Sequence, residues 1–219
     1  MSAAARTPSV PELPSEPEPL AGVTGLDHHQ TLEGVLLRDA DLSGQRAGGV
    51  SVTASVLQAV ELPESSLEQL SLSDVELSGC NLSNVTAPRA RWHRVHARGC
   101  RMTGMLISGA VLSDVTFTDC RIDLASFGSS RLERVTFAGC RLAQTDFMGS
   151  QLQDVRFEQS DLTEEDFRGA TLRRCEARGC ELSSIQGADR LRGLSMPWPE
   201  IVAHAGVWAT ALGIAELED

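Results

Sequence analysis

A twenty-residue period governs this chain, and residues 74 to 193 can be written as six stacked lines of it. The lines read DVELSGCNLSNVTAPRARWH, RVHARGCRMTGMLISGAVLS, DVTFTDCRIDLASFGSSRLE, RVTFAGCRLAQTDFMGSQLQ, DVRFEQSDLTEEDFRGATLR and RCEARGCELSSIQGADRLRG. Each line divides into four fives. From Gln30 to Ser184 a unit holds a small residue, a polar one, a large apolar one and two that are mostly polar or Gly, as in Ala40-Asp41-Leu42-Ser43-Gly44. The apolar centres run from Leu32, Leu37 and Leu42 to Leu172, Ala177 and Leu182 without an insertion, which makes 31 units. Repeats this short bury their apolar face only against their neighbours, so the period demands a solenoid.

If one turn takes 20 residues, positions 20 apart stack at the ~4.8 Å strand spacing. The resulting columns are chemically coherent. Val75, Val95, Val115, Val135 and Val155 form one, and Cys80, Cys100, Cys120 and Cys140 another, which Cys180 rejoins after Ser160. Phe117, Phe137 and Phe157 line one wall, with Phe127, Phe147 and Phe167 on the opposite one. Leu112, Leu132, Leu152 and Leu172 line a third wall, and Leu142, Leu162 and Leu182 the fourth. Burying such side chains stabilises the coil by roughly 1.5–3 kcal/mol each.

The A-[DN]-L-x-x signature, carried over about 70% of the chain, resembles the pentapeptide-repeat proteins. The resemblance implies an all-β solenoid, a right-handed quadrilateral β-helix. On the unit count it has nearly eight coils over residues 30–184. Residues 1–29 are expected to be a disordered Pro/Glu-rich leader, since Pro8, Pro11, Pro14, Pro17 and Pro19 sit among Ser and Glu. Their three-residue spacing also suits polyproline II. Residues 185–219 are expected to form a helical cap or dimerisation segment. Pro197 and Pro199 suit a helix start, and Ile201, Val202, Ala205, Trp208, Ala209 and Leu212 fall on one helical face ended by Gly213. Solenoid ends expose strand edges and therefore need caps. Gyrase-targeting members of the resembled family dimerise through a C-terminal segment, and by that resemblance Ile201, Ala205, Trp208 and Leu212 are the dimer or cap contacts, with Trp208 as anchor.

The net charge of -11 argues against direct binding of nucleic acid, which needs a basic stripe. All 19 basic residues are Arg, a hint of a GC-rich bacterial genome. There is no run of 18 apolar residues and no apolar stretch near Met1, so a cytoplasmic protein off the membrane is expected.

Most constellations of reactive residues fit stacking. The cysteines occupy the small inward position of successive coils, where a free thiol packs as a small apolar residue; disulfides or metal ligation are the minor alternatives. His93, His96 and Cys100 form an HxxH-plus-Cys pattern, but the two His straddle a corner and Cys100 points inward, so a four-ligand zinc site is not expected. His28 and His29 precede the repeats as a cap or linker. Glu165 takes an inward small-residue position, where a carboxylate requires either an approaching Arg or a locally distorted coil, the distortion being favoured. With no P-loop, GxGxxG, HExxH or nucleophile elbow, no catalytic, metal or cofactor site is assigned.

Charge is patterned. Asp74, Arg94, Asp114, Arg134, Asp154 and Arg174 alternate in one column, so that each acid stacks between bases. As exposed contacts these are worth about 0.2–1 kcal/mol each and chiefly set register. Arg101, Arg121 and Arg141 form a second column, with Asp119 and Asp123 near Arg121. Arg89, Arg91, Arg94, Arg98 and Arg101 make a girdle with no acid between Leu77 and Ser113. The girdle coincides with the coil in which Trp92 replaces Leu beside Ala87 and Ala97, and it is a candidate interaction surface.

Two functions compete. The leading expectation is a non-catalytic scaffold or interaction module with an unknown protein partner. The alternative, implied by the family resemblance, is a DNA-mimicking modulator of gyrase or another type II topoisomerase. Nearly eight coils make a rod of roughly 37 Å, on which duplex DNA would carry about 22 charges. The repeat body has 21 acids and 16 Arg, a net of only -5.

Overall fold

Every fifth residue turns a corner. From Asp39 to Ser184 each fifth position has a positive φ without interruption, including residues as unsuited to it as Leu124 (φ 61°) and Arg89 (φ 59°). A left-handed residue at the third position of a tight turn bends the chain sharply. It costs about 1–2 kcal/mol for a residue with a side chain. The corner therefore persists through the stacking of whole coils, and the frequent Gly and Asp at these positions lower its cost.

The computed structural model describes residues 4–215. Its repeat strands are β1 (Glu18–Leu20), β2 (Thr31–Glu33), β3 (Val35–Arg38), β4 (Ser51–Gln58), β5 (Ser71–Ser78), β6 (Arg91–Arg98), β7 (Val111–Thr118), β8 (Arg131–Ala138), β9 (Gln151–Glu158), β10 (Thr171–Arg173), β11 (Cys175–Arg178) and β12 (Leu194–Ser195). All pair in parallel, in the order β1-β3-β4-β5-β6-β7-β8-β9-β11-β12, with β2 on β4 and β10 on β9 beside this path. Between β4 and β9 the register is an unbroken 20, for example Val75 against Val95 and Phe117 against Phe137. Single bridges such as Arg101–Arg121 and Ser126–Asp146 continue the same register on the other two walls.

The winding extends beyond the periodic sequence, to about nine turns instead of nearly eight. At the start, Glu18 pairs with Val35, a step of 17, and at the end Cys175 pairs with Leu194, a step of 19. These off-period turns cover the exposed edges of the regular coils, and their altered step is why no twenty-residue pattern marks them.

The Phe walls form continuous stacks. Rings 20 residues apart lie nearly parallel at 4.9–5.3 Å, and the two walls meet edge-to-face at 6.0–6.4 Å. Trp92 caps the first stack at 5.9 Å from Phe117, in the space left by Ala87 and Ala97. The Val column is fully buried throughout.

The C-terminal segment differs from the single amphipathic helix expected. It forms two short helices, α1 (Trp198–Ala203) and α2 (Ala205–Ala211), broken at His204. His204 hydrogen-bonds the Cys180 carbonyl, and Glu200 accepts the Gly179 amide, so the break serves to dock both helices on the last coil. Trp208 packs against the core and donates to the Ile201 carbonyl at 2.9 Å. Ala205 and Leu212 face solvent and Ile201 is half-buried, so the four do not form one contact stripe.

Candidate functional site

The alternating column is the most elaborate feature of the outer surface. Arg94, Arg134 and Arg174 each reach back one coil and grip Asp74, Asp114 and Asp154 with two parallel hydrogen bonds of 2.5–2.9 Å. These forked pairs are the strong geometry for guanidinium and carboxylate. Arg134 also bonds Glu133, and Arg94 touches the His93 ring at 2.9 Å. The column is not the exposed register device expected, because Asp74, Asp114 and Asp154 are only 7%, 3% and 0% exposed. The Arg94 and Arg174 hydrogen bonds hold the Asp74 and Asp154 carboxyls below the usual range. Burial opposes ionisation of Asp114, but Arg134 and the Ser9 amide outweigh it and the net shift is also downward.

What covers the aspartates is the leader. Instead of being disordered, it runs extended along this wall, from the last coils toward the first. The Ala5 amide donates to Glu176 at 2.9 Å, Arg6 to Asp154 at 3.3 Å, Ser9 to Asp114 at 2.9 Å and Glu12 to Asp74 at 2.8 Å. Arg156 donates to the Ala5 carbonyl, and Ala5 is buried. The leader then turns into β1, which covers the edge of β3. Composition alone predicts disorder because the segment lacks apolar mass; here backbone amides and a preorganised acceptor row substitute for it.

A model of the family described as "Pentapeptide repeat region" matches residues 70–147, 90–167 and 125–186, together more than half of the chain. The chain belongs to the pentapeptide-repeat family. No curated protein sequence matches it. Among solved structures, it is similar to HetL, a pentapeptide-repeat protein involved in heterocyst differentiation regulation from the cyanobacterium Nostoc sp. strain PCC 7120, at 18% identity and TM-score 0.40, covering 81% of this chain and 93% of that one. QnrB1, a plasmid-mediated fluoroquinolone resistance protein, aligns at 16% identity and TM-score 0.39 over 91% and 95%. Rfr23 from the cyanobacterium Cyanothece 51142 aligns at 17% and TM-score 0.32 over 51% and 87%.

The other candidate residues of this pentapeptide-repeat protein are dispersed by its winding. In the Arg girdle, Arg94 is committed to Asp74 and Arg89 pairs with Glu68 at 3.4 Å on the surface. Arg91 and Arg98 sit at opposite ends of β6 and Arg101 lies on the next wall, so the five encircle the coil without converging. In the second Arg column, Asp123 serves both Arg121 and Arg141, at 3.8 and 3.4 Å. His93 hydrogen-bonds Ser113 on the outside, whereas Cys100 points inward and donates to the Leu77 carbonyl. His96 is half-buried, and burial lowers its pKa. His28 accepts the Gly48 amide at 3.1 Å.

All six cysteines are free and buried. Their thiols do more than fill space: Cys80, Cys100, Cys120, Cys140, Cys175 and Cys180 each donate to the carbonyl 23 residues earlier. Ser65, Ser130, Thr145 and Ser160 make the same bond at equivalent positions. Reading the position as merely small missed this rule; its sequence signal is the preference for Cys, Ser and Thr over Gly. Burial pushes the Cys175 thiol up to about 11.

Glu165 is fully buried in an undistorted coil, with no Arg beside it and no hydrogen-bond partner for either carboxyl oxygen. Neighbouring Leu162 and Phe167 keep the normal bonds to the next coil. Desolvation, with Asp161 and Asp123 adding to it, pushes its pKa to about 10, so the group stays protonated at neutral pH. Neither the distortion nor the approaching Arg expected from sequence occurs; neutralisation replaces both.

Proposed function

We propose that this pentapeptide-repeat protein is a non-catalytic interaction module that recognises extended polypeptide on the wall carrying the alternating Asp/Arg column, the ladder wall of its β-helix. The supporting observation is the leader. Four consecutive anchor points between Ala5 and Glu12 are backbone amides held by carboxylates of Glu176, Asp154, Asp114 and Asp74. Such a wall reads peptide backbone and has no group poised for bond making. The proposed partner is a cytoplasmic protein. No helix among the described residues is long and apolar enough to cross a membrane.

The competing topoisomerase reading needs acids displayed as phosphates are. Three of the 21 acids in the repeat body are buried under Arg and leader, and Glu165 is neutral, which weakens that display. A gyrase supercoiling assay separates the two: the module reading expects neither inhibition nor protection from fluoroquinolone at micromolar protein. Inhibition or drug protection would overturn it. The exposed Trp198, Val202, Leu212 and Ile214 support self-association through the C-terminal segment. Light scattering then expects a dimer that truncation after Ser195 dissolves; a dimer retained after truncation sinks that assignment.

A further inference from the structure

We infer that the ladder wall is a binding groove for polyproline II segments with a free amide at every third residue, and that residues 5–12 are its resident ligand in cis. The inference rests on reading the protein as an interaction module, and it names the chemistry of the partner.

The basis is a match of two periods. Polyproline II rises ~3.1 Å per residue, so three residues span about 9.3 Å. Two coils of the solenoid span about 9.6 Å. The ladder presents an aspartate on alternate coils, at Asp74, Asp114 and Asp154, and the leader presents the amides of Glu12, Ser9 and Arg6 to them, three residues apart. The intervening Arg94, Arg134 and Arg174 orient each carboxylate, and its Oδ1 accepts both the Arg Nε–H and the leader's amide. One face of the three-fold leader is also the packed one: Ala5 is buried and Pro8 and Pro11 are half-buried, while Arg6, Thr7, Ser9 and Val10 are exposed.

The recognition code follows. A small or proline residue sits against the wall, the next residue supplies its N–H, and the third faces solvent. Proline is welcome at the first position because it presets the backbone. It is excluded at the second, where it has no N–H. Pro8-Ser9-Val10 obeys this order in full, and Pro11-Glu12-Leu13 obeys it at the first two positions, with Leu13 half-buried at the third. A foreign proline-spaced segment would use the same carboxylates once the leader lifts. A cis ligand on a short tether competes at an effective concentration on the order of millimolar.

The test uses the full chain and a fluorescent peptide of residues 4–17. Arg6→Pro, Ser9→Pro and Glu12→Pro together keep the leader in polyproline II but delete the three donors outside the solenoid, so the repeat coils are untouched. The peptide is expected to bind this opened chain at least tenfold more tightly than the wild type, whose groove is occupied. The same peptide with proline at positions 6, 9 and 12 is expected to bind neither. In the wild type, hydrogen exchange should show Ser9 and Glu12 amides protected. Free-peptide exchange at those amides, no binding of the peptide to the opened chain, or equal binding of the all-proline peptide overturns the inference. So does a doubled mass that falls to one chain in the triple variant, because the leader would then occupy a second copy. These results leave the gyrase outcome independent, so failure of the groove and failure of the module reading are distinguishable.

Discussion

At the residue scale, inward polar groups obey two opposite rules, one satisfied and one not. The thiols and hydroxyls of the small inward position bond the carbonyl 23 residues back, so Cys120→Ser should preserve the pattern that Ser160 already follows. We expect it to change the urea midpoint little, and Cys120→Ala to lower stability by about 1 kcal/mol. Equal losses for both would show that the sulfur packs without bonding. Glu165 has no such bond. Its proton is held to about pH 10 in the folded protein and is released near the ordinary value of 4.5 in the unfolded chain. Stability from this group is therefore full below pH 4.5 and is lost as pH rises toward 10, at about 1.4 kcal/mol per unit. Unfolding measured at pH 4.5 and 7 should show the wild type losing roughly 3 kcal/mol more than Glu165→Gln; parallel profiles would contradict the buried neutral acid. The ladder aspartates carry the reverse sign. Their depressed pKa values stabilise the fold above about pH 4 and that contribution disappears on further acidification.

At the scale of the element, the coil is a unit of stacking. Phe137 touches rings above and below at 4.9 and 5.3 Å and two more across the core. Phe137→Ala should cost about 3–5 kcal/mol in denaturant unfolding, and a loss under 1 kcal/mol would mean the stack is not the core. These rings were legible in the sequence because their spacing equals the coil length. So were the Val, Leu and Cys columns. The turns outside the repeat were not, because their steps of 17 and 19 hide the pattern. The split of the C-terminal helix was also hidden. It is set by His204 and Glu200 reaching groups on the last coil, a long-range cause that helical periodicity does not encode. The alternation of Asp and Arg is legible in the sequence, yet the burial of the acids is not, because the covering segment lies more than sixty residues away in sequence.

At the scale of the whole molecule, the two ends of the described chain are joined along one wall. The leader crosses from Glu176 to Asp74 and then caps β3, so the segment with the least apolar mass ties together coils that touch only their neighbours. Charge follows the same arrangement: acids that composition assigns to the surface are enclosed. The most direct test places spin labels at Thr7→Cys and Arg173→Cys and measures their separation; the six native thiols are buried and leave the label no other site. The docked leader predicts one narrow distance under about 25 Å, since Arg6 is bonded to Asp154, one coil from Arg173. A leader anchored only at β1 would wander about 18 Å from a point some 37 Å down the rod, and a broad distribution centred near 40 Å would contradict the account.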